Sequence, residues 1–393
     1  MKTVLIYKDE LLPMSETFIQ TQASALRRYK PQYVGVFRSK KSLDVPNSPI
    51  IAVPSSGRFD YLLRILYYQT GLAPHFFRAL RKVNPDVIHA HFAWSGKNAV
   101  RLAQVLNRPL VVTLHGHDVT VKRDFPSEYS NLWRVASVYI CVSGSIRDKA
   151  IEAGFPPNKL RVLHNGIEPD PVTDTVLDKD PNLIVFVGRL VEKKGCIYLL
   201  RAMSVVKKTC PDARLVMIGD GPLRSALMAE AESQGIPCSF LGTQPSEIVR
   251  NYQKKAAIVC VPSVTAENGD SEGLPTVILE AMTAGTTVGA SKHAGAPEAI
   301  KDGETGLLVS ERNADELAAA LIRALQDPEL RNHLGEKGQA IVRERFDVRK
   351  LAMSLEDIYD EVSDKDLSNS RTSHSNLWNS FIRLISGIRE PSS

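Results

Sequence analysis

The strongest constraint on the fold is an alternation of short apolar runs, rich in β-branched residues, with longer amphipathic segments. Each apolar run is nearly free of charge, and the segment that follows it has the apolar spacing of a half-buried helix. Strands of a parallel sheet are covered by helices on both faces, so they read as unbroken apolar runs. The pattern therefore predicts an α/β chain of parallel strands joined by helices.

The predicted strands fall into two groups, separated by a stretch over 169–182 that is rich in Pro and Asp. The predicted strands are 4–7, 33–37, 87–91, 110–114, 138–142 and 161–163 in the first group, and 183–187, 214–218, 239–241, 257–261 and 287–290 in the second. The amphipathic segments include 15–29, 61–83, 96–106, 197–208, 222–232, 246–255, 275–284, 314–325 and 339–361. Because the stretch between the groups lacks apolar periodicity, it is predicted to be a linker.

The length of 393 residues suits two or three domains at about 150 residues each. We predict two doubly wound, Rossmann-like domains, the first over residues 1–168 and the second over residues 183–345. A helix over 346–362 is predicted to return to the first domain, and residues 363–393 are predicted to form a polar tail with a short amphipathic helix. Doubly wound sheets bind ligands beyond the carboxyl ends of their strands. The cleft between the two domains is therefore the expected site.

Composition narrows the class of protein further. With 43% hydrophobic and 24% charged residues, the chain is neither disordered nor fibrous. Its five cysteines form no CxxC pair, which argues against a zinc site or a disulfide framework and favours a reducing cytosol. The first apolar run is too short for a signal peptide, and no stretch of about 18 apolar residues predicts a membrane-spanning helix.

The charge is unevenly distributed. Residues 1–90 contain 13 Lys and Arg against 6 Asp and Glu, a balance of +7, so the rest of the chain sums to −2. This suits a basic surface that faces phosphate groups of lipid or nucleic acid. Residues 58–82 mix aromatic residues with arginines, and they read either as helices packed on the sheet or as a surface resting on anionic lipid. Residues 377–388 leave the same two alternatives open.

The block 271–285 carries the strongest functional signal. Pro275 is suited to the first position of a helix and Gly285 to the position past its end. The unpaired amides at such a helix start form an anion site. Glu272 precedes the helix, and Glu280 is the only charged residue between 273 and 291. A carboxylate in so apolar a stretch needs a partner, such as the hydroxyls of a ligand.

Two further blocks follow predicted strands. Arg189 and Lys194 come after the strand that ends at Gly188, where two cations could neutralise a diphosphate. His115 ends a strand of the first domain and would meet the cleft from the opposite side, although a hydrogen-bonded structural histidine is the alternative. His89 and His91 resemble a metal-binding pair, but no third ligand is evident. The chain contains no dinucleotide fingerprint, phosphate loop or nucleophile elbow.

Taken together, these blocks resemble the retaining glycosyltransferases of family four, which have the GT-B fold. The resemblance is carried by His115-Gly116-His117-Asp118, Leu163-His164-Asn165-Gly166-Ile167, Gly188-Arg189 with Lys193-Lys194-Gly195, Gly219-Asp220-Gly221-Pro222, and Glu272-Gly273-Leu274-Pro275 with Glu280. The segments 15–19 and 89–92 look like the branch that builds bacterial exopolysaccharides, including colanic-acid-type enzymes.

The resemblance implies a role for each residue. His115 and Glu272 are implied to lie at the reacting sugar. The donor diphosphate would be held by Arg189, Lys194 and the amides of Gly273 and Leu274. Glu280 would bind the ribose of the donor, and the base pocket would be lined by Leu241, Gly242 and Pro262. Many relatives carry two glycines after the first strand, whereas residues 9–17 contain none. The hydroxyls of Ser15 and Thr17 could substitute there on the acceptor side, together with His117 and Asp118.

The implied activity is transfer of a sugar, with retention of configuration, from a nucleotide-sugar donor to a saccharide or polyprenyl-diphosphate-linked acceptor. Neither a metal nor another cofactor is expected, and the location expected is cytoplasmic, with possible peripheral contact to the inner face of the membrane. A soluble glycogen- or sucrose-type transferase and a sugar-nucleotide epimerase stay open as alternatives. A non-catalytic nucleotide-sugar-binding protein fits the full residue set less well, and nucleic-acid binding leaves the paired glutamates unexplained.

Overall fold

A computed structural model describes residues 1–13, 16–40, 42–53, 60–70, 73–121, 125–170 and 179–364. These residues form two sheets in which every pair of neighbouring strands is parallel. Helices cover both faces of each sheet, as the uncharged strands require. The predicted α/β class with two Rossmann-like domains is confirmed.

The first sheet has seven strands in the order β3-β2-β1-β4-β5-β6-β7. Its strands are β1 (Lys2–Glu10), β2 (Tyr29–Phe37), β3 (Ile50–Ile51), β4 (Val87–His91), β5 (Leu110–Leu114), β6 (Val138–Cys141) and β7 (Leu160–Val162). Its helices are α1 (Thr17–Ser24), α2 (Asp60–Thr70), α3 (Pro74–Val83), α4 (Ala93–Leu106), α5 (His117–Thr120), α6 (Phe125–Val135) and α7 (Gly144–Glu152).

The second sheet has six strands in the order β10-β9-β8-β11-β12-β13. Its strands are β8 (Asp180–Val187), β9 (Arg214–Ile218), β10 (Cys238–Phe240), β11 (Ala256–Val261), β12 (Thr287–Ser291) and β13 (Leu307–Val309). Its helices are α8 (Cys196–Thr209), α9 (Arg224–Ser233), α10 (Ser246–Lys255), α11 (Thr276–Thr283), α12 (Ala296–Ala299), α13 (Ala314–Gln326) and α14 (Pro328–Arg345).

The two sheets share one topology when the strands of each are counted in chain order: the second runs 3-2-1-4-5-6, and the first has the same order with a seventh strand at its edge. The order reverses between β1 and β4 in the first sheet and between β8 and β11 in the second. Loops diverge at such a switch point and leave a crevice at the carboxyl ends of the strands. The residues that follow β1, β4, β8 and β11 are therefore placed to form the site.

The chain returns to the first domain at its described end. The N–H of Ile167 donates to the carbonyl of Phe346 (2.9 Å), and the N–H of Val348 donates to the carbonyl of Ile167 (2.9 Å). Residues 348–364 then form a last helix, α15. This helix buries Leu355 and Tyr359 among residues of β1 and β2, so the first core is completed by the end of the described chain.

The structure corrects four of the predicted segments. The helix predicted over 15–29 ends at Ser24, because Tyr29 already starts a nine-residue strand that pairs with β1. The segment 61–83 is two helices, since Pro74 starts α3 and Ala73 before it has a non-helical conformation. The segment 339–361 breaks at Phe346, whose carbonyl pairs with Ile167 instead of continuing the helix. Residues 180–182 of the predicted linker belong to β8, and residues 171–178 of it lie outside the described part of the chain.

Glu356 holds α15 on the first domain. Its buried carboxylate accepts hydrogen bonds from the backbone N–H groups of Arg27 (2.7 Å), Arg28 (2.5 Å) and Tyr29 (3.2 Å), and it pairs with the Arg28 guanidinium at 3.2 Å. One side chain thus satisfies three amides at the turn between α1 and β2.

Replacing Glu356 by Ala should lower the free energy of unfolding by about 3–5 kcal/mol, because three backbone N–H groups lose their acceptor and each unsatisfied buried donor costs about 1–3 kcal/mol. The measurement is chemical denaturation followed by tryptophan fluorescence, since Trp94 and Trp133 lie in the first domain. Asp357→Ala is the matched control. Its exposed carboxylate also pairs with Arg28, and its loss should cost about 0–1 kcal/mol. Equal losses in the two variants would contradict the role of Glu356.

Candidate functional site

The two domains touch through a close backbone contact between the His115–Gly116 turn and the loop around Glu272. Gly116 has φ +138°, which favours glycine, and a Cβ there would lie 2.9 Å from the carbonyl oxygen of Ser271. A Cβ at Gly273 would lie 2.5 Å from the carbonyl oxygen of His115. Only glycines permit this approach, and it brings the backbones of two predicted site residues, His115 of the first domain and Glu272 of the second, close to one another.

Glu272 is buried between two cations. Its Oε2 lies 3.1 Å from Lys194 Nζ, and its Oε1 lies 3.8 Å from Lys193 Nζ. Burial alone would raise the pKa of this carboxyl, but the two ammonium groups outweigh it and hold the pKa below its ordinary value. Oε1 is shielded from solvent and receives no hydrogen bond from a described residue. Glu272 is thus ionised, with one oxygen available to a donor.

A chain of charged groups continues from this pair to the first domain. Lys193 Nζ lies 3.0 Å from the carboxylate of Asp270, and the same oxygen lies 3.2 Å from Nδ1 of His117. The N–H of Ser271 donates to the hydroxyl of Thr120 at 3.1 Å. The acidic loop of the second domain is therefore bound to α5 by polar contacts of Asp270 and Ser271, the two residues that precede Glu272.

His293 supports the same loop from behind. Its Nδ1 lies 2.6 Å from Glu311, and its Nε2 lies 3.3 Å from the N–H of Glu272 and 3.1 Å from the hydroxyl of Ser271. A backbone N–H can only donate, so Nε2 accepts and Nδ1 carries the proton that it donates to Glu311. The Glu311–His293 pair thereby fixes the backbone of Glu272.

His115 sits in an aromatic and histidine-rich pocket. Its Nε2 lies 3.1 Å from Nδ1 of His91, and its ring lies 4.5 Å from that of Phe92 and 4.9 Å from that of Phe18. Burial, reinforced by the nearby ammonium of Lys8, lowers the pKa of His115 well below its ordinary value. The imidazole is therefore neutral near pH 7, and its buried Nδ1 has no partner among the described residues.

Asp118 does not lie on the acceptor side of the cleft, where the sequence predicts it. Its side chain is fully buried and accepts hydrogen bonds from the backbone N–H groups of His115 (3.0 Å), Gly116 (2.9 Å) and Ala93 (3.0 Å). All of its visible contacts are to the backbone of its own domain. Asp118 thus holds the turn that carries His115 and does not face the cleft.

The predicted anion site lies at the start of α11. Pro275 occupies the N-cap, one position before that expected, and no side chain of the described chain caps this helix. The N–H groups of Gly273 and Leu274 donate to no described group. Arg189, after β8, is exposed, and its guanidinium forms no hydrogen bond or ion pair with a described residue. The structure thus leaves two amides and one cation open to a ligand.

Glu280 lies on α11, where the side chain of Gln253 donates to its carboxylate at 3.3 Å. Burial raises the pKa of Glu280, and the hydrogen bond from Gln253 only partly opposes it. No ion pair to Glu280 occurs in the described part of the chain. Its surroundings therefore differ in kind from those of Glu272, which is bound by cations.

The predicted base-pocket residues follow β10 and β11. Leu241 and Gly242 are partly exposed at the end of β10, where the carbonyl of Gly242 accepts the N–H of Gly219 at 2.8 Å. Pro262 is buried directly after β11. On the acceptor side, Thr17 is exposed at the start of α1, whereas Ser15 lies outside the described residues.

Comparison with known proteins decides the family. The model described as Glycosyltransferase Family 4 matches residues 15–171, and the model described as Glycosyl transferases group 1 matches residues 172–341. Together they cover both domains. The chain belongs to glycosyltransferase family 4.

Relatives of this family-4 glycosyltransferase include proteins named for exopolysaccharide biosynthesis. AmsK of Erwinia amylovora, named an amylovoran biosynthesis glycosyltransferase, is 32% identical over 250 residues, 61% of each protein. WcaL of Salmonella typhimurium, named for colanic acid biosynthesis, is 30% identical over 246 residues, 60% of each. The matches thus span about three fifths of the length of these relatives, and the predicted resemblance to the exopolysaccharide branch is confirmed.

The fold of this family-4 glycosyltransferase matches that of solved structures. The crystal structure of HepE from Anabaena in complex with UDP-glucose has a TM-score of 0.72 and 19% identity, over 92% of this chain and 100% of that one. The predicted GT-B fold is therefore confirmed.

One conspicuous contact of the family-4 site was not predicted. Glu298, after β12, accepts hydrogen bonds from the N–H of Gly144 (2.9 Å) at the start of α7 and lies 2.8 Å from Nε2 of His164. Burial alone would raise the pKa of Glu298, but these contacts outweigh it and lower the pKa. The carboxylate also meets the positive end of a helix from the other domain. Only the acidic character of Glu298 is readable from the sequence, since its partners are about 130–150 residues away.

His293→Phe should reduce the rate of glycosyl transfer by about 10- to 100-fold, because the buried N–H of Glu272 loses its acceptor while the ring volume is kept. The measurement is the rate of transfer, with thermal melting as a check on folding. His333→Phe, at an exposed position of α14, is the matched control and should leave the rate unchanged. An unchanged rate in His293→Phe would contradict the positioning role of His293.

Proposed function

We propose that this family-4 enzyme transfers a hexose from a nucleotide-sugar donor, with retention of anomeric configuration, to a saccharide or polyprenyl-diphosphate-linked saccharide. The observation that carries the proposal is the juxtaposition of Glu272 and Lys194 with the uncapped start of α11 and with His115 across the cleft. HepE, which shares the fold, is known in complex with UDP-glucose, which supports a nucleotide-sugar donor here.

On the donor side, the charge that develops on the leaving nucleoside diphosphate needs fixed positive partners. Arg189 and the amides of Gly273 and Leu274 are open to it in the described structure. Lys194 has three donors, so it can hold Glu272 and a phosphate oxygen together. Such preorganised groups stabilise the transition state more than the ground state. Glu280 is proposed for the ribose hydroxyls, and Leu241, Gly242 and Pro262 for the base.

On the reacting side, Glu272 and His115 face the transferred sugar. A neutral His115 donates or accepts a hydrogen bond without adding charge beside an oxocarbenium-like centre. We propose that attack occurs on the face from which the diphosphate leaves and that this phosphate takes the proton of the acceptor hydroxyl. Closure of the domains over the gap excludes water and limits hydrolysis of the donor. The names of AmsK and WcaL support a place in the biosynthesis of an exopolysaccharide or another cell-surface glycan.

The first test is calorimetric titration with UDP-, GDP-, ADP- and dTDP-sugars. We expect one nucleotide class to bind and its affinity to fall about 10- to 100-fold in Glu280→Ala and in Arg189→Ala, because each loses a charged hydrogen-bonding partner. Glu232→Ala and Arg323→Ala, both exposed on the second domain, are matched controls that should bind as the wild type does. If no nucleotide sugar binds, the donor proposal is wrong.

The configuration of the product separates the alternatives. A retaining transferase gives a product linkage with the anomeric configuration of the donor, which proton NMR reads directly. An epimerase would change the donor sugar without any acceptor. A glycogen- or sucrose-type transferase would use a soluble acceptor.

We further propose that transfer requires no metal, because Arg189, Lys194 and the start of α11 supply the positive charge. A chelator should change the rate by less than about twofold, in contrast to enzymes in which a metal stabilises the leaving group. Loss of activity with the chelator, restored by Mg²⁺ or Mn²⁺, would contradict this.

A surface on the first domain supports contact with an anionic membrane. On α2 only Tyr67 is buried, whereas Tyr61, Leu62, Leu63, Leu66 and Tyr68 are at least 44% exposed. The neighbouring α3 exposes Arg78, Arg81 and Lys82. Arg64 is not part of this surface, because its guanidinium packs 3.7 Å from the ring centroid of Phe37. Apolar side chains beside cations suit the headgroup region of anionic lipid. Among the described helices none is long and apolar enough to cross a bilayer.

Reversing the charges of Arg78, Arg81 and Lys82 to Glu should weaken binding to phosphatidylglycerol vesicles by about tenfold or more, since each cation near an anionic surface contributes about 1 kcal/mol. The measurement is vesicle sedimentation, with phosphatidylcholine vesicles for comparison. Reversal of Lys208, Lys255 and Lys337, exposed on the second domain, makes the same change in net charge. Equal losses in both triple variants would contradict a specific surface.

A further inference from the structure

The first-domain edge of the cleft carries an aromatic pair to which the donor chemistry assigns no role. The rings of Phe92 and Trp94 stack with their centroids 4.7 Å apart at an interplanar angle of 14°, and both are partly exposed. Phe92 has φ +72°, an uncommon conformation for a bulky residue. The His117 ring lies 6.0 Å from Trp94, so the pair borders the contact between the two domains.

A buried ion pair lies beside these rings. Lys8 Nζ is 3.0 Å from Glu16 Oε1 and 4.6 Å from the centroid of Phe92, and the two charged side chains are only 6% and 13% exposed. Glu16 occupies the N-cap of α1, yet its carboxylate makes no cap hydrogen bond. Its Oε2 is shielded from solvent and receives no hydrogen bond from a described residue. A carboxylate oxygen so placed lacks a donor that a ligand could bring.

The cluster adjoins the reaction centre. Phe92 lies 4.5 Å from the ring of His115, and Phe18, two residues after Glu16, lies 4.9 Å from the same ring. The donor groups Glu272 and Lys194 belong to the other domain. A molecule held by the cluster would therefore approach the transferred sugar from the first-domain side of the cleft.

The charges define the chemistry of the ligand. Glu16 neutralises Lys8, so the cluster offers no net positive charge to a phosphate. It offers instead an apolar aromatic face and a carboxylate oxygen that accepts a hydrogen bond. A pyranose ring matches both, because one face presents C–H groups and its rim presents hydroxyl donors.

We propose that Glu16, Phe92 and Trp94 form the subsite for the terminal sugar of the acceptor, with the sugar ring against the aromatic pair and one hydroxyl donating to Glu16 Oε2. Lys8 is a positioning residue that holds the carboxylate. The inference rests on the proposed function, in which the acceptor is a saccharide, and adds the residues that bind it.

The test uses methyl glycosides of glucose, galactose, mannose and N-acetylglucosamine as probes, observed by saturation-transfer NMR on the full chain. Each glycoside is used at about 10 to 100 mM, because at that concentration a ligand with a millimolar Kd occupies most of its sites. We expect the wild type to bind at least one glycoside. Affinity should fall about tenfold in Glu16→Gln, which keeps the shape of the side chain but removes its charge, because a hydrogen bond to a charged group is lost. Trp94→Ala should also lose binding, and Trp94→Phe should recover part of it.

Glu152→Gln is the matched control, since Glu152 is an exposed carboxylate of the same domain and pairs only with Lys149 in the described chain. Calorimetry with the nucleotide sugar on the same variants separates the proposed subsite from the proposed function. Variants that still bind the nucleotide sugar but no longer bind the glycoside support the subsite. Nucleotide-sugar binding without glycoside binding in the wild type, or unchanged glycoside binding in Trp94→Ala, overturns the subsite and leaves the proposed function intact. If the wild type binds neither, both proposals are wrong. Thermal melting identifies a variant that fails to fold. If Glu16→Gln fails to fold, the test rests on Trp94→Ala.

Discussion

The site depends on the backbone contact between the two domains at Gly116 and Gly273. A Cβ at either position would collide with the opposite backbone, so the close approach of the His115 and Glu272 backbones depends on glycine at positions 116 and 273. Each side of the contact is fixed by a buried side chain. Asp118 binds three amides around His115, and His293 accepts the amide of Glu272. The backbones of these two candidate residues are therefore held by Asp118 and His293, in addition to the contacts that their own side chains make.

The two glutamates that mark the family lie in different electrostatic surroundings. Lys194 and Lys193 overcome the cost of burying Glu272 and keep its pKa low, whereas burial raises the pKa of Glu280, which has no ion-pair partner among the described residues. A carboxylate bound to lysines suits a site where a charged diphosphate must also be held, because the same lysines serve both anions. The carboxyl of Glu280, which accepts a hydrogen bond from the side-chain amide of Gln253, suits neutral ligand hydroxyls. The environment thus separates the roles of two chemically identical side chains.

The sequence predicted the parts of the structure that local pattern determines. The strands over 87–91, 110–114 and 214–218 coincide with β4, β5 and β9, because uncharged β-branched runs have no other stable place than a covered sheet. The local pattern gave wrong helix ends where pairing with a distant segment determines the structure. Tyr29 belongs to β2, which pairs with β1, and the carbonyl of Phe346 accepts the N–H of Ile167. The short strands β3 and β13 were also missed, since two or three residues carry too little periodicity.

The candidate site shows the same division. Chemical type and position after a strand selected His115 and Arg189, and position before an apolar helix selected Glu272. They could not show that Lys194 is bound to Glu272, or that Glu298 binds the start of α7, because the partners are 78 and 154 residues apart. Asp118 was placed at the cleft for its motif, whereas three backbone amides within reach of a short carboxylate hold it inside.

The contacts across the cleft differ from those inside each domain. Apart from the glycine contact, they are polar pairs such as His117 with Asp270 and Gly144 with Glu298, and the side chains involved are partly exposed. Each sheet, in contrast, buries its own apolar clusters on both faces. Partly exposed polar pairs contribute little individually, so the domains can separate without unfolding either core. The Ile167–Phe346 pairing and α15, which packs on the first core, are the connections that would keep the two domains joined in such a separation.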